Sequence, residues 1–364
     1  MSLIGLLCAA SNEPIPDEPA TPGQASGNLL LSGSYVAVAN DARFVGVCKS
    51  GTNELMVAYR KAVDHPVNSS ATHCARFSSN GGKSWGDEIT VYDPPSGYDC
   101  RDVTLSRLSD GTIALTAFNY GTFPDFRSQV MFSTDNGRTF GAAVQVDPSG
   151  LAYTDACSGP VIECANGDLL VALYGQDAAD EYHSAVVCRS DDGGATWGAS
   201  TTIADGPATI GNTLGAESEG HFYEPFLLRL ANGDVIAAVR HSREKVWIVR
   251  STDDGVTWGT PVNTNVPGGG RPAIAQVSTG GIVLCNRTDN YIWFRTSWDN
   301  GATWSSLSRV TTGYRGAYSQ MTEYRPGKLA HFYSMEIGTA DNAEARFTYM
   351  YDNNLPDPLT ELVI

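Results

Sequence analysis

Five times along its 364 residues the chain writes the same short pattern, Ser-x-Asp/Asn-x-Gly-x-Thr/Ser-Trp/Phe. The copies are Ser78-Ser-Asn80-Gly-Gly82-Lys-Ser84-Trp85, Ser133-Thr-Asp135-Asn-Gly137-Arg-Thr139-Phe140, Ser190-Asp-Asp192-Gly-Gly194-Ala-Thr196-Trp197, Ser251-Thr-Asp253-Asp-Gly255-Val-Thr257-Trp258 and Ser297-Trp-Asp299-Asn-Gly301-Ala-Thr303-Trp304. Their first serines stand at 78, 133, 190, 251 and 297, so successive copies are 55, 57, 61 and 46 residues apart. The chemistry is that of a tight turn between strands. An Asp or Asn side chain accepts hydrogen bonds from backbone N–H groups just downstream, glycine supplies a positive φ, and the aromatic residue re-enters a strand and wedges against a neighbour. These aspartates are therefore structural residues, with no catalytic role expected. Five turns in phase require a repeated β unit.

Between the turns the strand pattern also repeats. An apolar run, a Gly-containing turn and a second apolar run recur at 103–118, 226–239 and 273–284, and 317–333 continues the pattern without the eight-residue turn. This gives six units, roughly 28–95, 96–150, 151–208, 209–265, 266–312 and 313–364. A lone four-stranded sheet cannot bury both faces, so six stacked around an axis predict an all-β, six-bladed β-propeller of antiparallel blades. The segment 28–38 is expected to join the last sheet and close the ring. The five turns are expected on one face and the functional residues on the other. The fold domain is taken as 28–364, with 1–27 as a leader and linker outside it. That segment is apolar over 3–10 and then rich in Pro, Glu, Asp, Ser and Gly. It lacks a basic start, and Leu7 before Cys8 departs from a lipoprotein cleavage site. The order still suggests a secreted, periplasmic or surface-anchored protein.

Composition removes several function classes. A net charge of −16 repels nucleic acid and anionic membrane surfaces, so an acidic ligand would need a local arginine cluster. No apolar run of the length a membrane span needs, about 18 residues, occurs. The eight cysteines contain no Cys-x-x-Cys and no accompanying His cluster, which argues against zinc. Most are read as small buried hydrophobes, with disulfides left open.

Six polar residues interrupt apolar runs at strand starts or ends: Arg43, Asp64, Glu224, Arg240, Arg287 and Tyr318. With them the chain resembles the exo-sialidase (neuraminidase) family, over about residues 40–340. Tyr223-Glu224-Pro225 opens the fourth unit and Arg240 ends its next strand, like the family's glutamate and second arginine. Asn286-Arg287-Thr288 resembles the third arginine, and Ala317-Tyr318-Ser319 opens the sixth unit like the family's nucleophilic tyrosine. Arg43 takes the place of the first arginine, and Asp64 lies in the loop of the acid/base aspartate. Arg43-Phe44-Val45 replaces the family's Arg-Ile-Pro, the loop 61–66 around Asp64 is divergent, and the glutamate that steadies the first arginine is displaced. Ser334 stands nearest its place, and Glu336 lies two residues on with the same strand parity.

The resemblance implies a retaining exo-glycoside hydrolase that releases terminal sialic acid or a related 2-keto sugar acid. It implies Tyr318 as nucleophile, Glu224 as its base, Asp64 as acid/base, and Arg43, Arg240 and Arg287 on the carboxylate, with no metal or cofactor. The chemistry is coherent: three guanidiniums suit a carboxylate, and a tyrosine attacks beside that carboxylate without the repulsion a carboxylate nucleophile would meet. The expected partners are sialylated or related acidic glycans. Taken singly, each arginine is an ordinary strand-end residue and Tyr318 an ordinary packing aromatic; their joint recurrence at matching places in separate units favours a site. Arg60, Arg101, Asp102 and Arg271 are held in reserve. His65, His221, His241 and His331 lack metal spacing, and the Asn68-Ser-Ser70 sequon is read as incidental. Two other readings stand beside the sialidase: a related hydrolase for a different acidic sugar, and a non-catalytic propeller that binds glycans or proteins.

Overall fold

The computed structural model describes residues 23–24, 29–31 and 34–352, apart from 63–69, 123–124, 149–150, 152, 177–181, 207–219, 243–244, 289–290, 311–315 and 337–342. Its strands form six antiparallel sheets in chain order around a channel. Blade 1 is Ala42–Gly51, Glu54–Lys61, Thr72–Ser78 and Ile89–Tyr92. Blade 2 is Asp99–Arg107, Ile113–Tyr120, Phe126–Ser133 and Val144–Val146. Blade 3 is Tyr153–Cys157 with Ile162–Glu163, then Leu169–Gln176, His183–Ser190 and Thr201–Ala204. Blade 4 is Phe222–Arg229, Val235–His241, Lys245–Ser251 and Val262–Pro267. Blade 5 is Ala273–Gln276, Ile282–Arg287, Ile292–Ser297 and Ser308–Arg309. Blade 6 takes Gly316–Arg325, Lys328–Glu336 and Ala343–Asp352 from the end of the chain and its outer edge from the beginning. There Tyr35–Val38 and Leu29–Leu31 pair with Ala343–Asp352, and Gly23–Gln24 pairs with Leu29–Leu31. The ring closes as the sequence predicted, by hydrogen bonds between the two ends of the chain.

The core is divided between neighbouring blades. Six large apolar clusters each span one junction, from blades 6 and 1 around to blades 5 and 6. Each repeated turn contributes to the junction with the preceding blade: Trp85 to that of 6 and 1, Phe140 to 1 and 2, Trp197 to 2 and 3, Trp258 to 3 and 4, and Trp304 to 4 and 5. Trp85 meets Phe332 of blade 6 edge to face at 5.7 Å. Blade 6 has no such turn, and its junction with blade 5 is packed without a turn aromatic.

The turns themselves repeat one hydrogen-bond circuit. In the third, Ser190 Oγ donates to Asp192 Oδ1 at 2.7 Å, Gly194 N donates to Ser190 Oγ at 2.8 Å, and Thr196 donates its N–H to Oδ1 and its hydroxyl to Oδ2 at 2.9 and 2.6 Å. These bonds hold the Asp192 carboxyl down at about 2. The glycine is needed twice. Gly82, Gly137, Gly194, Gly255 and Gly301 all have φ between 82° and 90°, and a Cβ on any of the first four would run into the preceding blade, for example into Phe132 at Gly194, while at Gly301 it would press against Ile236 and Arg250. In blade 4, Phe222 pairs with His241 and His241 with Lys245, whereas Arg229 pairs with Val235 and Val235 with Ser251. The turns therefore lie at the opposite end of the sheets from Glu224 and Arg240, as expected.

At that far end, one polar position lies at or within two residues of the end of the inner strand of every blade: Lys49, Arg107, Glu163, Arg229, Gln276 and Glu323. Several of them clasp the preceding blade. Glu163 accepts from Ser109 N, Gln276 from Ala231 N and Glu323 from Ser278 N, each at 2.8 Å. Together they rim a cavity of ≈ 420 Å³ that contains none of the six residues singled out in the sequence. Seven cysteines are described, all buried and unpaired, with burial pushing the thiols of Cys48 and Cys188 up to about 12. They are the small core residues the sequence suggested.

The glycines of the third turn offer a direct test. Gly193 and Gly194 both have positive φ, but only Gly194 faces a neighbouring side chain. Gly193→Ala should cost about 1–2 kcal/mol of backbone strain. Gly194→Ala should cost about 1–3 kcal/mol more from overpacking against Phe132, a difference that urea unfolding of the two variants will resolve.

Candidate functional site

At the near mouth of the channel, four inner strands carry the same irregularity. Between Tyr223↔Arg240 and Phe226↔Ala238, Glu224 and Pro225 face a single residue of the partner strand. Phe44 and Val45 do so in blade 1, Asp102 and Val103 in blade 2, and Ala317 and Tyr318 in blade 6. Such bulges re-aim side chains and concentrate at functional sites. Phe44, Asp102 and Glu224 carry φ of 51°, 51° and 49°, a conformation costing about 1–3 kcal/mol for a residue with a side chain. The surrounding blades hold this strain in place.

The bulges bring blades 4 and 6 together. Tyr318 donates its hydroxyl to Glu224 Oε1, although 94 residues separate them. Glu224 Oε2 lies 3.2 Å from Arg240 Nη1, and the Arg240 guanidinium sits 5.6 Å from the Tyr223 ring. Three groups surround the half-buried Tyr318 ring: Phe44 at 5.2 Å between centroids, Arg271 at 5.3 Å and Arg287 at 5.8 Å. Gly270 makes this approach possible, since a Cβ there would lie 2.7 Å from Arg287 Nε and 2.8 Å from Tyr318 Cε1. Asn286 supports the same corner by donating to Gly270 O at 2.8 Å.

Burial first, then the charges of Glu224 and Asp102, push the Tyr318 phenol well above its ordinary value, against the pull of Arg287. Burial works against the charge of Arg240, yet Glu224 and Tyr318 raise its pKa overall. Asp102 is raised to about 7 by burial, with Glu224 adding to the shift and Arg271, Arg101 and Arg60 opposing it. The mouth thus holds more guanidiniums than ionised carboxyls near neutrality, inside a chain that is acidic overall.

Of the sequence candidates, Tyr318, Glu224, Arg240 and Arg287 come together here. Arg43 is buried one residue before Phe44, opposite Arg60 in register. Asp64 lies outside the described residues, as do His65 and Asn68. Ser334 is buried opposite the blade 6 bulge, and Glu336 ends its strand opposite Ala343. The reserves divide. Arg60 is fully buried against Asp99 at 2.9 Å, since an inward guanidinium needs an anion beside it, and lies 5.9 Å from the Phe44 ring. Arg101 shares that carboxylate at 2.8 Å. Arg271 and Asp102 belong to the site. Aligning the inner strands on their bulges would have exposed Asp102, which occupies in blade 2 the place of Glu224 in blade 4. Reading the histidines as ordinary missed a ring cluster beside Arg240. His221 stacks on Tyr223 at 5.3 Å and accepts from His183 N at 3.1 Å through Nδ1.

The model of the BNR repeat-like domain matches residues 54–330. The chain belongs to that family. Its fold is that of the sialidase-like BNR propellers. A Dyadobacter fermentans protein of unknown function superposes with a TM-score of 0.75 at 18% identity, over 89% of this chain and 99% of its own. The Hadza microbial sialidase Hz136 gives 0.67 at 16% identity, over 89% and 69%. Trypanosoma rangeli sialidase in complex with the inhibitor DANA gives 0.62 at 14% identity, over 89% and 56%. No curated protein matches the sequence. At these identities the likeness establishes the propeller fold.

Asp102 gives this propeller a pH signature. Its carboxyl is raised from an ordinary 3.8 to about 7, so its contribution to stability is fully present below about pH 4 and is lost as pH rises through about 7. Asp102→Asn should therefore melt higher than the parent protein at pH 8. The gain should disappear toward pH 4 in parallel thermal melts.

Proposed function

We propose that this propeller is a retaining exo-glycosidase that releases a terminal sialic acid or a related 2-keto sugar acid. The observation that carries the reading is the hydrogen bond from Tyr318 to Glu224 among guanidiniums. A phenol is a poor nucleophile while protonated, and a carboxylate in contact with it is the base it needs. Arg43, Arg240 and Arg287 are assigned to the sugar carboxylate, where each charge-assisted hydrogen bond contributes about 1.5–3 kcal/mol.

Binding and activation are then linked. In the free site Arg240 holds Glu224. A substrate carboxylate that engages Arg240 draws it away, leaving Glu224 a stronger acceptor for the Tyr318 proton. Tyr318 Oη bonds to the anomeric carbon as the glycosidic C–O bond breaks and Asp64 protonates the departing oxygen. Water activated by Asp64 then displaces the phenol, which recovers its proton from Glu224. A tyrosine attacking beside a carboxylate avoids the like-charge repulsion of a carboxylate nucleophile. The acidic surface of the chain sharpens selectivity, because an anionic sugar is attracted only at the arginine-rich mouth. An export route or surface location fits action on glycoconjugates.

The test is a fluorogenic sialoside assayed beside glycosides of other 2-keto sugar acids. Tyr318→Phe should abolish retaining hydrolysis while leaving binding of the free sugar acid intact, and Glu224→Gln should lower kcat by about 10²–10⁴-fold. A fluorinated sialic acid bearing a good leaving group should label Tyr318. Turnover of another keto-acid glycoside in place of the sialoside would assign the different sugar. Binding that is identical in parent and Tyr318→Phe, without any turnover, would make the protein a glycan-binding propeller.

A further inference from the structure

We propose that Arg271 is the positioning residue of this site, a buried guanidinium that locks the bulges of three blades together and fixes the Tyr318 ring above it. The inference rests on reading Tyr318 as the nucleophile. Arg271 is 1% exposed and stands just before the inner strand of blade 5. Its contacts leave that blade altogether. Nη1 donates to Ser158 O of blade 3 at 2.9 Å, and Nη2 lies 3.4 Å from both Val45 O of blade 1 and Ser319 O of blade 6.

These acceptors are not scattered. Val45 belongs to the bulge that presents Phe44, and Ser319 follows the bulge that presents Tyr318. Ser158 passes the connection on, since its hydroxyl donates to Pro225 O at 3.4 Å, inside the bulge that presents Glu224. A bulge takes carbonyls out of their ladder, and a buried carbonyl without a donor costs free energy. One planar guanidinium with donors pointing several ways can serve carbonyls from three directions, whereas an ammonium on a flexible stem is a single point charge.

Position and charge act on the same atom. Arg271 sits 5.3 Å from the Tyr318 ring centre, within the range of a cation–π contact. Its positive charge opposes the burial and the charges of Glu224 and Asp102, which together hold the phenol protonated. Burying a guanidinium is costly unless it is compensated. The ordered carbonyls supply that compensation, so the arginine and the bulges sustain each other.

The experiment compares Arg271→Lys and Arg271→Gln with the parent protein by tyrosine ring-carbon NMR, using Tyr318→Phe to assign the Tyr318 signal. In both variants that signal should shift, and in the glutamine variant, which loses the cation, it should also titrate at higher pH. On a fluorogenic sialoside kcat should fall about a hundredfold, the scale of a misplaced reacting group, with KM changed only a few-fold. Added guanidine should restore part of the loss in the glutamine variant. Should the glutamine variant fail to fold, the lysine variant decides, because it keeps a cation while losing the fork. A folded variant with a lower Tm but an unchanged Tyr318 titration and unchanged kcat would overturn the proposal and make Arg271 purely structural. A protein that turns over no sialoside would sink the proposed function alone, and the NMR titration would still decide the positioning role.

Discussion

Every sheet in this protein is apolar on both faces, and the burial of those faces between neighbours is the constraint on which everything else depends. Apolar burial contributes roughly 25 cal/mol per Å² removed from water, and here it is divided among six junctions of similar make. No blade has an interior of its own. The glycine and aromatic residue of each repeated turn make sense only in these terms: one lets the next sheet approach, the other fills the gap between them. The aspartate circuit then holds both in register from the solvent side.

A ring built this way has two mouths with different tasks. At the far mouth, polar side chains reach sideways to cap the adjoining blade, so charge there serves cohesion. At the near mouth four of the inner strands bulge and re-aim their side chains. That difference separates the far cavity, rimmed by these clasps, from the near mouth, where the bulged strands bring Glu224 and Tyr318 together. It also explains how residues nearly a hundred positions apart, such as Glu224 and Tyr318, share a proton donor and acceptor. The blades supply the distance, and the bulges supply the aim.

The electrostatics of the near mouth run against those of the whole molecule. An acidic protein concentrates guanidiniums at one point, balanced by a glutamate in contact with a tyrosine and by an aspartate whose burial keeps it near the edge of ionisation. Arg271 anchors this arrangement through carbonyls of three other blades. Arg240 and Arg287 border it, one held by Glu224 and the other packed against the Tyr318 ring.

The sequence by itself determined the repeated turns, the number of blades, the closure of the ring by its own ends and the types of residue at the near mouth. All of these are local patterns: a turn chemistry, an alternation of apolar residues, a polar residue interrupting a run. Tyr318, Glu224, Arg240 and Arg287 were legible because each breaks such a run at a strand end. Only the tertiary structure decided that Arg60 answers a buried aspartate, that Asp102 sits beside Glu224 without solvent, and that Arg271 reaches three other blades. An arginine or an aspartate has the same sequence signature whether it is solvated or buried. Its partner is set by contacts between blades, and those contacts exist only once the ring has closed.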